Sequence, residues 1–277
     1  MSGAEFTVRF WGVRGSIPCP GEAHARYGGN TSCLEVRCGA RRLIFDAGTG
    51  IYELGLALDE AGPVDDDIFL THTHYDHVWG WPHFTPLLDA RNRFRIHAGH
   101  LEDDRRIEDV MLGLLAEPLN PVNPKTLKAQ LSFDDFHIGD TLEPWPGVAL
   151  RTALLNHPNR AAGYRVGYDG RSICYITDTE HRPGEGRDAS VLGLIEGADI
   201  VIYDATYTDD EYGGHAGWGH STWQEGVRLC DAAGVKTYVV FHHDPGHDDA
   251  FMDGVAAEVE AARPGSLVAR EGMVLRP

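Results

Sequence analysis

Short apolar runs alternate with polar turns along the whole chain, and most of these runs are too short to be helices. They are rich in valine, isoleucine and aromatic residues, and glycine, proline or acidic residues bound them, which is typical of β-strands. The first three strands are expected to be antiparallel, and Gly170 and Arg171 predict a hairpin turn. The predicted strands are FTVRFWG, CLEVRC, RLIFDAG, DDDIFL, FRIHAG, VALRTALL, AGYRVGYD, SICYITD, ADIVIYDA and TYVVFHHD.

Longer segments with helical spacing separate several of these strands. IYELGLALDEAG predicts a helix that Gly62 and Pro63 close, STWQEGVRLCDAAG predicts a second, and DDAFMDGVAAEVEAARPG predicts a third that ends before Gly265. Strands and helices alternate without a linker or an internal repeat. We therefore expect one α/β domain spanning residues 1–277, with helices on the outer faces of its sheets.

The segment THTHYDH places four potential metal ligands directly after a predicted buried strand. His72 and His74 alternate at the strand end, so their side chains leave the backbone on the same side. Asp76 and His77 follow in the loop or first helical turn. Zinc accepts imidazole nitrogen and carboxylate oxygen together, whereas histidines this close without a metal would repel each other on protonation. The segment therefore predicts a metal site.

Four further strands end at a residue that can bind a metal or orient a ligand. VALRTALLN precedes His157, SICYIT precedes Asp178, ADIVIY precedes Asp204, and TYVVF precedes His242. Loops at strand ends are where a rigid scaffold displays its reactive groups. Four such positions downstream of a histidine cluster are hard to explain by solvation alone.

The net charge indicates which binding partners are expected, and the cysteines indicate which cell compartment is expected. The chain has 42 acidic and 24 basic residues, a net charge of −18, so it would repel long nucleic acid, although a local positive site could still attract a small anion. Five scattered cysteines without a C-x-x-C pair suit a reducing cytoplasm. We see no signal peptide, and no apolar run approaches the ~20 residues of a membrane span.

The motif and the order of the other candidates resemble the metallo-β-lactamase superfamily. THTHYDH matches its H-x-H-x-D-H signature, and the likeness extends from FWGVRGSIP to FHHDP. The resemblance implies an α/β fold, a four-layer αβ/βα sandwich with two metal ions at one edge. It also implies that His72, His74 and His157 bind one ion, that Asp76, His77 and His242 bind the other, with His243 as the alternative to His242, and that Asp178 bridges them.

Two shorter motifs are similar to those of the ribonuclease Z-like phosphodiesterases. GHSTW resembles the element whose histidine assists catalysis, here His220, and DATY resembles the element whose carboxylate orients it, here Asp204. Histidine at position 74 disfavours the diiron, oxygen-reducing branch. No segment resembles the tRNA-binding arm of ribonuclease Z. The small cyclic phosphodiesterases, including the phosphoribosyl cyclic phosphodiesterases, therefore match better.

The predicted function is a dinuclear metal-dependent phosphodiesterase that hydrolyses a small, cyclic phosphodiester. The cofactors are two divalent ions, zinc first, with manganese or iron as alternatives. Asp76 would also accept the proton of the attacking water, and His220 would be the general acid. The alternative is a thioester or lactone hydrolase with the same metals; a binding protein without turnover is disfavoured because the ligand set is intact. The oligomeric state, including a homodimer, is left open.

The remaining polar residues carry weaker expectations. Asp46 is expected to secure the turn after its strand, and Arg14 and Arg26 are expected to be solvated. The segment from His100 to Lys125 has six acidic residues against three basic ones and is interpreted as a lid rather than a docking arm. Two histidines near the candidate loops could touch substrate, His215 and His247. Surface or otherwise satisfied positions are expected for His83, His97, His100, His137 and His181.

Overall fold

A computed structural model describes residues 5–121 and 126–277. The strands are β1 Phe6–Gly12, β2 Cys33–Cys38, β3 Arg41–Phe45, β4 Asp65–Leu70, β5 Arg93–Ala98, β6 Gln130–Asp135, β7 Thr141–Trp145, β8 Val148–Leu155, β9 Ala161–Tyr168, β10 Arg171–Ile176, β11 Ile200–Asp204, β12 Thr237–Phe241, β13 Leu267–Val268 and β14 Val274–Leu275. The α-helices are α1 Gly50–Ala61, α2 Tyr75–Val78, α3 Ile107–Gly113, α4 Ala189–Ile195, α5 Asp209–Tyr212, α6 Trp223–Ala232 and α7 Asp249–Ala262. Short 3-10 helices span Glu22–His24, Trp81–His83 and Thr85–Leu88.

The strands form two mixed sheets with mirrored connectivity. The first has the order β14-β1-β2-β3-β4-β5-β6 and the second the order β13-β12-β11-β10-β9-β8-β7. The first three strands are antiparallel, as the sequence predicts, and β3 to β6 are parallel. In the second sheet, β7 to β10 are antiparallel and β10 to β13 are parallel.

Three apolar clusters hold four layers together. The inner faces of the two sheets share one cluster, which contains Phe10, Phe45, Tyr164 and Phe241. Helices α4, α6 and α7 cover the outer face of the second sheet, and α1, α2 and α3 cover that of the first. This is the predicted αβ/βα sandwich, and the α/β class is confirmed. Within the described ranges, no helix combines the length and apolarity needed to cross a bilayer.

The parallel strands bring the candidate residues to one edge. Ile176 lies opposite Tyr203, and Asp204 lies opposite Phe241, so the carboxyl ends of β10, β11 and β12 are level. The end of β4 faces them from the other sheet, because Thr71 accepts a backbone hydrogen bond from Ala162 of β9 at 2.9 Å. The site therefore lies where the two sheets meet.

Two local expectations need correction. The hairpin between β9 and β10 turns at Asp169 and Gly170, one residue earlier than expected, since both adopt positive φ, 49° and 73°. Edge strands β6 and β7 were not expected from the sequence. The first exposes alternate residues to solvent, and the second contains Pro144, which is tolerated mainly at a sheet edge.

The segment interpreted as a lid is in part a fixed layer of the fold. Ile107, Met111 and Leu115 are buried in the outer cluster of the first sheet, and the Trp81 indole donates to the Met111 carbonyl at 3.2 Å. The lid interpretation is therefore wrong for α3. Residues 122–125 of the same segment lie outside the described residues.

Candidate metal centre

Three histidines form the first group of candidate ligands. His74 Nδ1 and His157 Nε2 are 3.0 Å apart, and the His72 ring lies 4.4 Å from that of His74 and 4.8 Å from that of His157. One nitrogen from each lies within 4.8 Å of the others. The nitrogens therefore converge closely enough to bind one ion.

The second group combines two histidines with a carboxylate. Helix α2 presents Asp76 and His77 in its first turn, and His242 follows β12. Asp76 Oδ2 lies 3.3 Å from His77 Nε2 and 3.2 Å from His242 Nε2. The backbone N–H of Ser16 donates to the same oxygen at 2.8 Å, which fixes the carboxylate.

Asp178 lies between the two groups and directs one oxygen towards each. Its Oδ1 is 3.8 Å from His72 Nε2 and 3.6 Å from His157 Nε2. Its Oδ2 is 3.1 Å from His77 Nε2 and 3.3 Å from His242 Nε2. This division of oxygens is the geometry that a bridging carboxylate requires.

Hydrogen bonds at Nδ1 orient two of the imidazoles. His77 Nδ1 lies 2.8 Å from Asp46 Oδ2, and His157 Nδ1 lies 2.7 Å from the Gly219 carbonyl. Carboxylate and carbonyl oxygens only accept, so each Nδ1 carries the proton and each Nε2 keeps its lone pair for a ligand.

Neutral side chains orient the others. The hydroxyl of Thr71 lies 3.1 Å from His72 Nδ1, and that of Thr206 lies 3.0 Å from His242 Nδ1. His74 is reversed, since its Nε2 lies 3.2 Å from Asn159 Oδ1 and its Nδ1 faces the group. None of these three partners was expected from the sequence. Thr206 had the clearest signal, because it belongs to the DATY motif.

Asp46 was expected to secure the turn after β3, but its side chain instead bonds the chain after β4 and strand β10. It accepts from the Thr71 backbone N–H at 2.7 Å and from the Tyr175 hydroxyl at 2.9 Å, besides contacting His77. Its backbone adopts a φ of +61°, which is rare for a residue with a side chain. The carboxylate therefore connects β4, β10 and the candidate ligand His77.

The donor set fits a divalent ion such as zinc. His72 Nε2 is buried and has no hydrogen-bond partner, which is costly for a polar atom unless an ion occupies the site. Burial opposes ionisation of Asp178, but the surrounding imidazoles outweigh it and hold its pKa well below the usual range. Burial also lowers the pKa of His72, which favours the neutral form that binds metal.

Of the two adjacent histidines after β12, only His242 joins the site. His243 Nε2 lies 2.9 Å from the Ala269 carbonyl, on the far side of the strand end. His242 has a φ of +63°, and this left-handed turn directs its ring towards Asp76 and Asp178. The geometry therefore favours His242, the first choice from the sequence.

His220 and Asp204 form a pair beside the two groups. His220 Nδ1 lies 3.0 Å from Asp204 Oδ2, and its ring lies 4.9 Å from that of His242. Asp204 is itself fixed by the backbone N–H groups of Thr179 and Thr206. Burial lowers the pKa of His220, but the Asp204 carboxylate outweighs burial and the pKa rises to about 9.

A family comparison agrees with this geometry. The family model of the beta-lactamase superfamily domain matches residues 41–243, which is most of the chain. The match leaves out β1, β2 and the segment after His243. The chain belongs to this superfamily. Together with the cluster of histidines and aspartates, the membership supports binding of divalent metal.

Comparisons with individual relatives indicate the branch of the superfamily. Ribonuclease Z of Halorubrum lacusprofundi is 26% identical over 293 aligned residues, which cover 85% of each chain. The crystal structure of a diphosphatase from the PhnP family has a TM-score of 0.72 at 21% identity and covers 99% of this chain and 98% of that one. Human tRNase Z, short form, has a TM-score of 0.69 at 19% identity, with 98% coverage of both. The ribonuclease Z-like branch and the class of metal-dependent hydrolases are confirmed.

The two arginines of the N-terminal loop behave differently from each other. Arg14 is fully buried and donates to the carbonyls of Gly28 at 2.8 Å and His247 at 2.7 Å, so the expectation that it is solvated is wrong. Its hydrogen bonds connect the N-terminal loop to the loop that follows His242. Arg26 is exposed and pairs with Asp253, as expected of a solvated residue.

The histidines without motif support lie outside the two candidate groups. His97 and His100 bind Asp67 and Thr73, and His181 binds Ser221. His215 stacks on Tyr207 instead of entering the cluster. The buried ring of His247 contacts Glu211 at 2.9 Å. His83 and His137 are exposed.

Two glycines in one loop allow a matched test of how His157 is positioned. Gly217 and Gly219 both have positive φ, 90° and 88°, but only at Gly219 would an added Cβ lie 2.3 Å from His157 Nδ1. We expect Gly219→Ala to displace the imidazole and lower the metal content measured by elemental analysis. Gly217→Ala carries the same backbone strain without the collision and should retain the metal. Equal metal content in the two variants would contradict this role of Gly219.

Proposed function

We infer that the protein is a cytoplasmic, dinuclear metal-dependent phosphodiesterase that hydrolyses a small, cyclic phosphodiester. The observation that carries the inference is the division of the Asp178 oxygens between two groups of ligands, with the His220–Asp204 pair beside them. The curated relative named ribonuclease Z supports phosphodiester chemistry. Five free, buried cysteines suit the reducing cytoplasm.

The proposed metal ligands have separate roles at the reacting phosphate. Two divalent ions would neutralise the phosphodiester charge and supply a nucleophilic water. Zinc is the proposed metal, because the donors are imidazole nitrogens and carboxylate oxygens. Asp76 would hold the second ion with His77 and His242, whose Nε2 atoms lie 3.3 and 3.2 Å from its Oδ2, and would accept a proton from that water. The Ser16 backbone N–H keeps this carboxylate in place.

His220 is proposed to protonate the leaving alkoxide. Asp204 engages Nδ1, so the opposite nitrogen, Nε2, is the one that can transfer a proton. Burial lowers the pKa of His220, but the Asp204 carboxylate raises it and favours the protonated form that a general acid needs. Asp204 acts through His220 by holding the ring.

Charge and size support a small substrate over structured RNA. The net charge of −18 repels a polyanion, and each added nucleotide increases the repulsion. Glu108 and Asp109 of α3 are exposed and contribute to this acidic excess at the surface. A cyclic phosphate or a dinucleotide presents far less charge to this surface.

The first prediction from this proposal concerns metal content. Protein purified without chelator should contain about two divalent ions per chain, mainly zinc, by elemental analysis. His242→Ala should lower this content, whereas His243→Ala should not, because His243 binds the Ala269 carbonyl instead. One ion held by His72, His74 and His157 alone would contradict the dinuclear site.

The second prediction separates metal binding from acid catalysis. Asp178→Ala should lose metal and activity together, because both groups contact this carboxylate. His220→Ala should retain the metal but lose about a hundredfold in kcat on a phosphodiester with an alkoxide leaving group. Hydrolysis of bis(p-nitrophenyl) phosphate should fall less, since nitrophenolate barely needs a proton.

His215→Ala is the control for His220, because it alters the same loop outside the two groups. An equal loss for His220→Ala on both esters would refute the general-acid role. Faster hydrolysis of thioesters or lactones than of any phosphodiester would instead favour the alternative substrate class.

The third prediction concerns substrate size. The purified protein should cleave a nucleoside 2′,3′-cyclic phosphate and should not bind precursor tRNA tightly at physiological salt, because of its acidic surface. Chromatography measures the hydrolysis of the cyclic phosphate, and filter retention measures the binding of the tRNA. Efficient, salt-sensitive removal of a tRNA 3′ trailer would overturn the small-substrate proposal.

A further inference from the structure

The loop that leads into His220 is rich in glycine and largely exposed. It contains Gly213, Gly214, Gly217 and Gly219, and residues 213, 214 and 216–218 are exposed to solvent. Glycine loses more conformational freedom on folding than any other residue, so such a loop is costly to hold in one conformation. A fixed position of His220 therefore depends on hydrogen bonds from outside the loop.

One carboxylate, that of Glu180, provides two of these hydrogen bonds. Its Oε1 accepts from the backbone N–H of Gly217 at 2.7 Å, and its Oε2 accepts from the backbone N–H of Gly219 at 2.8 Å. Hydrogen bonds to an ionised acceptor are stronger than those between neutral groups. Each oxygen of the carboxylate therefore holds a different peptide group of the loop.

The backbone of Glu180 is in turn fixed to the chain that carries His157. The Glu180 N–H donates to the Asn156 carbonyl at 2.8 Å, and Asn156 Nδ2 donates to the Glu180 carbonyl at 2.7 Å. Asn156 directly precedes His157, and Glu180 lies two residues after Asp178. Glu180 therefore connects the loops after β8 and β10 with the glycine-rich loop.

The residue held by Glu180 Oε2 contacts one candidate ligand and directly precedes the proposed general acid. The Gly219 carbonyl lies 2.7 Å from His157 Nδ1 and accepts its proton. His220 is the next residue along the chain, and its ring contacts Asp204. A displacement of Gly219 would therefore move the acceptor of His157 and the backbone of His220 together.

We propose that Glu180 is a positioning residue that fixes the backbone of residues 217–219 and, through it, the orientation of His157 and the place of His220. This role needs no contact between Glu180 and the substrate. The effect on His220 rests on the proposed function, because it takes His220 as the general acid. The effect on His157 rests on metal binding alone.

Two substitutions of Glu180 test its hydrogen bonds without any hydrolysis. Glu180→Gln preserves the shape but keeps only one acceptor oxygen, whereas Glu180→Ala removes both. Amide hydrogen exchange, followed by NMR, should accelerate about tenfold or more at one of the two glycines, Gly217 or Gly219, in Glu180→Gln and at both in Glu180→Ala. Exchange at the wild-type rate at both glycines in Glu180→Ala would overturn the proposal.

Zinc affinity tests the effect on His157. Competition with a chromophoric chelator should show an affinity about tenfold lower in Glu180→Ala, since outer partners of a metal-binding histidine commonly have effects of this size. Asp210→Ala is the control, because Asp210 is exposed on α5 at the start of the same loop and its substitution removes the same charge. An equal loss of affinity in the two variants would mean that only charge matters, and would refute the role of Glu180 at His157.

The leaving group of the substrate tests the effect on His220. At saturating zinc, Glu180→Gln should lower kcat about tenfold on a phosphodiester with an alkoxide leaving group and leave KM unchanged, because misplacement of a reacting group affects mainly the chemical step. Hydrolysis of bis(p-nitrophenyl) phosphate should fall less. In a His220→Ala background, Glu180→Gln should have little further effect on the alkoxide substrate. An equal loss on both esters would contradict action through His220.

The measurements distinguish failure of the positioning role from failure of the proposed function. Faster exchange at the two glycines and weaker zinc binding in Glu180→Ala support the role of Glu180 even if no phosphodiester is hydrolysed. Phosphodiester hydrolysis at the wild-type kcat in both Glu180 variants, together with wild-type zinc affinity, refutes the positioning role and leaves the phosphodiesterase proposal intact.

Discussion

The site depends on one buried carboxylate, that of Asp178, which contacts imidazoles from both sheets. His77 comes from the chain after β4 of the first sheet, whereas Asp178 and His242 come from the second. Burial of a carboxylate is unfavourable unless positive charge or hydrogen bonds compensate it. The docking of the two sheets through their shared apolar cluster therefore determines whether this carboxylate finds its partners. Packing of the core therefore determines the arrangement of the candidate ligands around this residue.

Three residues at strand ends share an unusual backbone conformation. Asp46, Asp178 and His242 have φ of 61°, 58° and 63°, a region that costs residues with side chains about 1–3 kcal/mol each. Each turn directs its side chain from a strand end into the space between the sheets. The hydrogen bonds of Asp46 to Thr71 and Tyr175 offset such strain locally. Rigid turns of this kind hold ligands in position before any ion binds.

The sequence predicted the residues that approach the centre but not the atoms that orient them. Spacing and strand-end position indicated His72, His157 and Asp178 as candidates, because side-chain chemistry and strand geometry are local properties. The family resemblance then assigned each candidate to an ion. The partners at Nδ1, such as Asn159, depend on how separate loops pack. Burial of Arg14 was missed for the same reason, since its acceptors are carbonyls from two distant loops. The edge strands were missed because their pattern is half polar.

The charge close to the candidate metal centre differs from the overall charge of the protein. The net charge of −18 predicts repulsion at long range, but salt screens exposed charges beyond about 8 Å. Beside His157, Arg160, Arg182 and Arg187 line one cavity of the protein. The acidic residues next to them accept from backbone N–H groups or form one ion pair. Since these arginines are separated in sequence, composition alone does not reveal them. The overall charge therefore opposes a long polyanion, whereas individual side chains determine the charge that a ligand meets within about 8 Å.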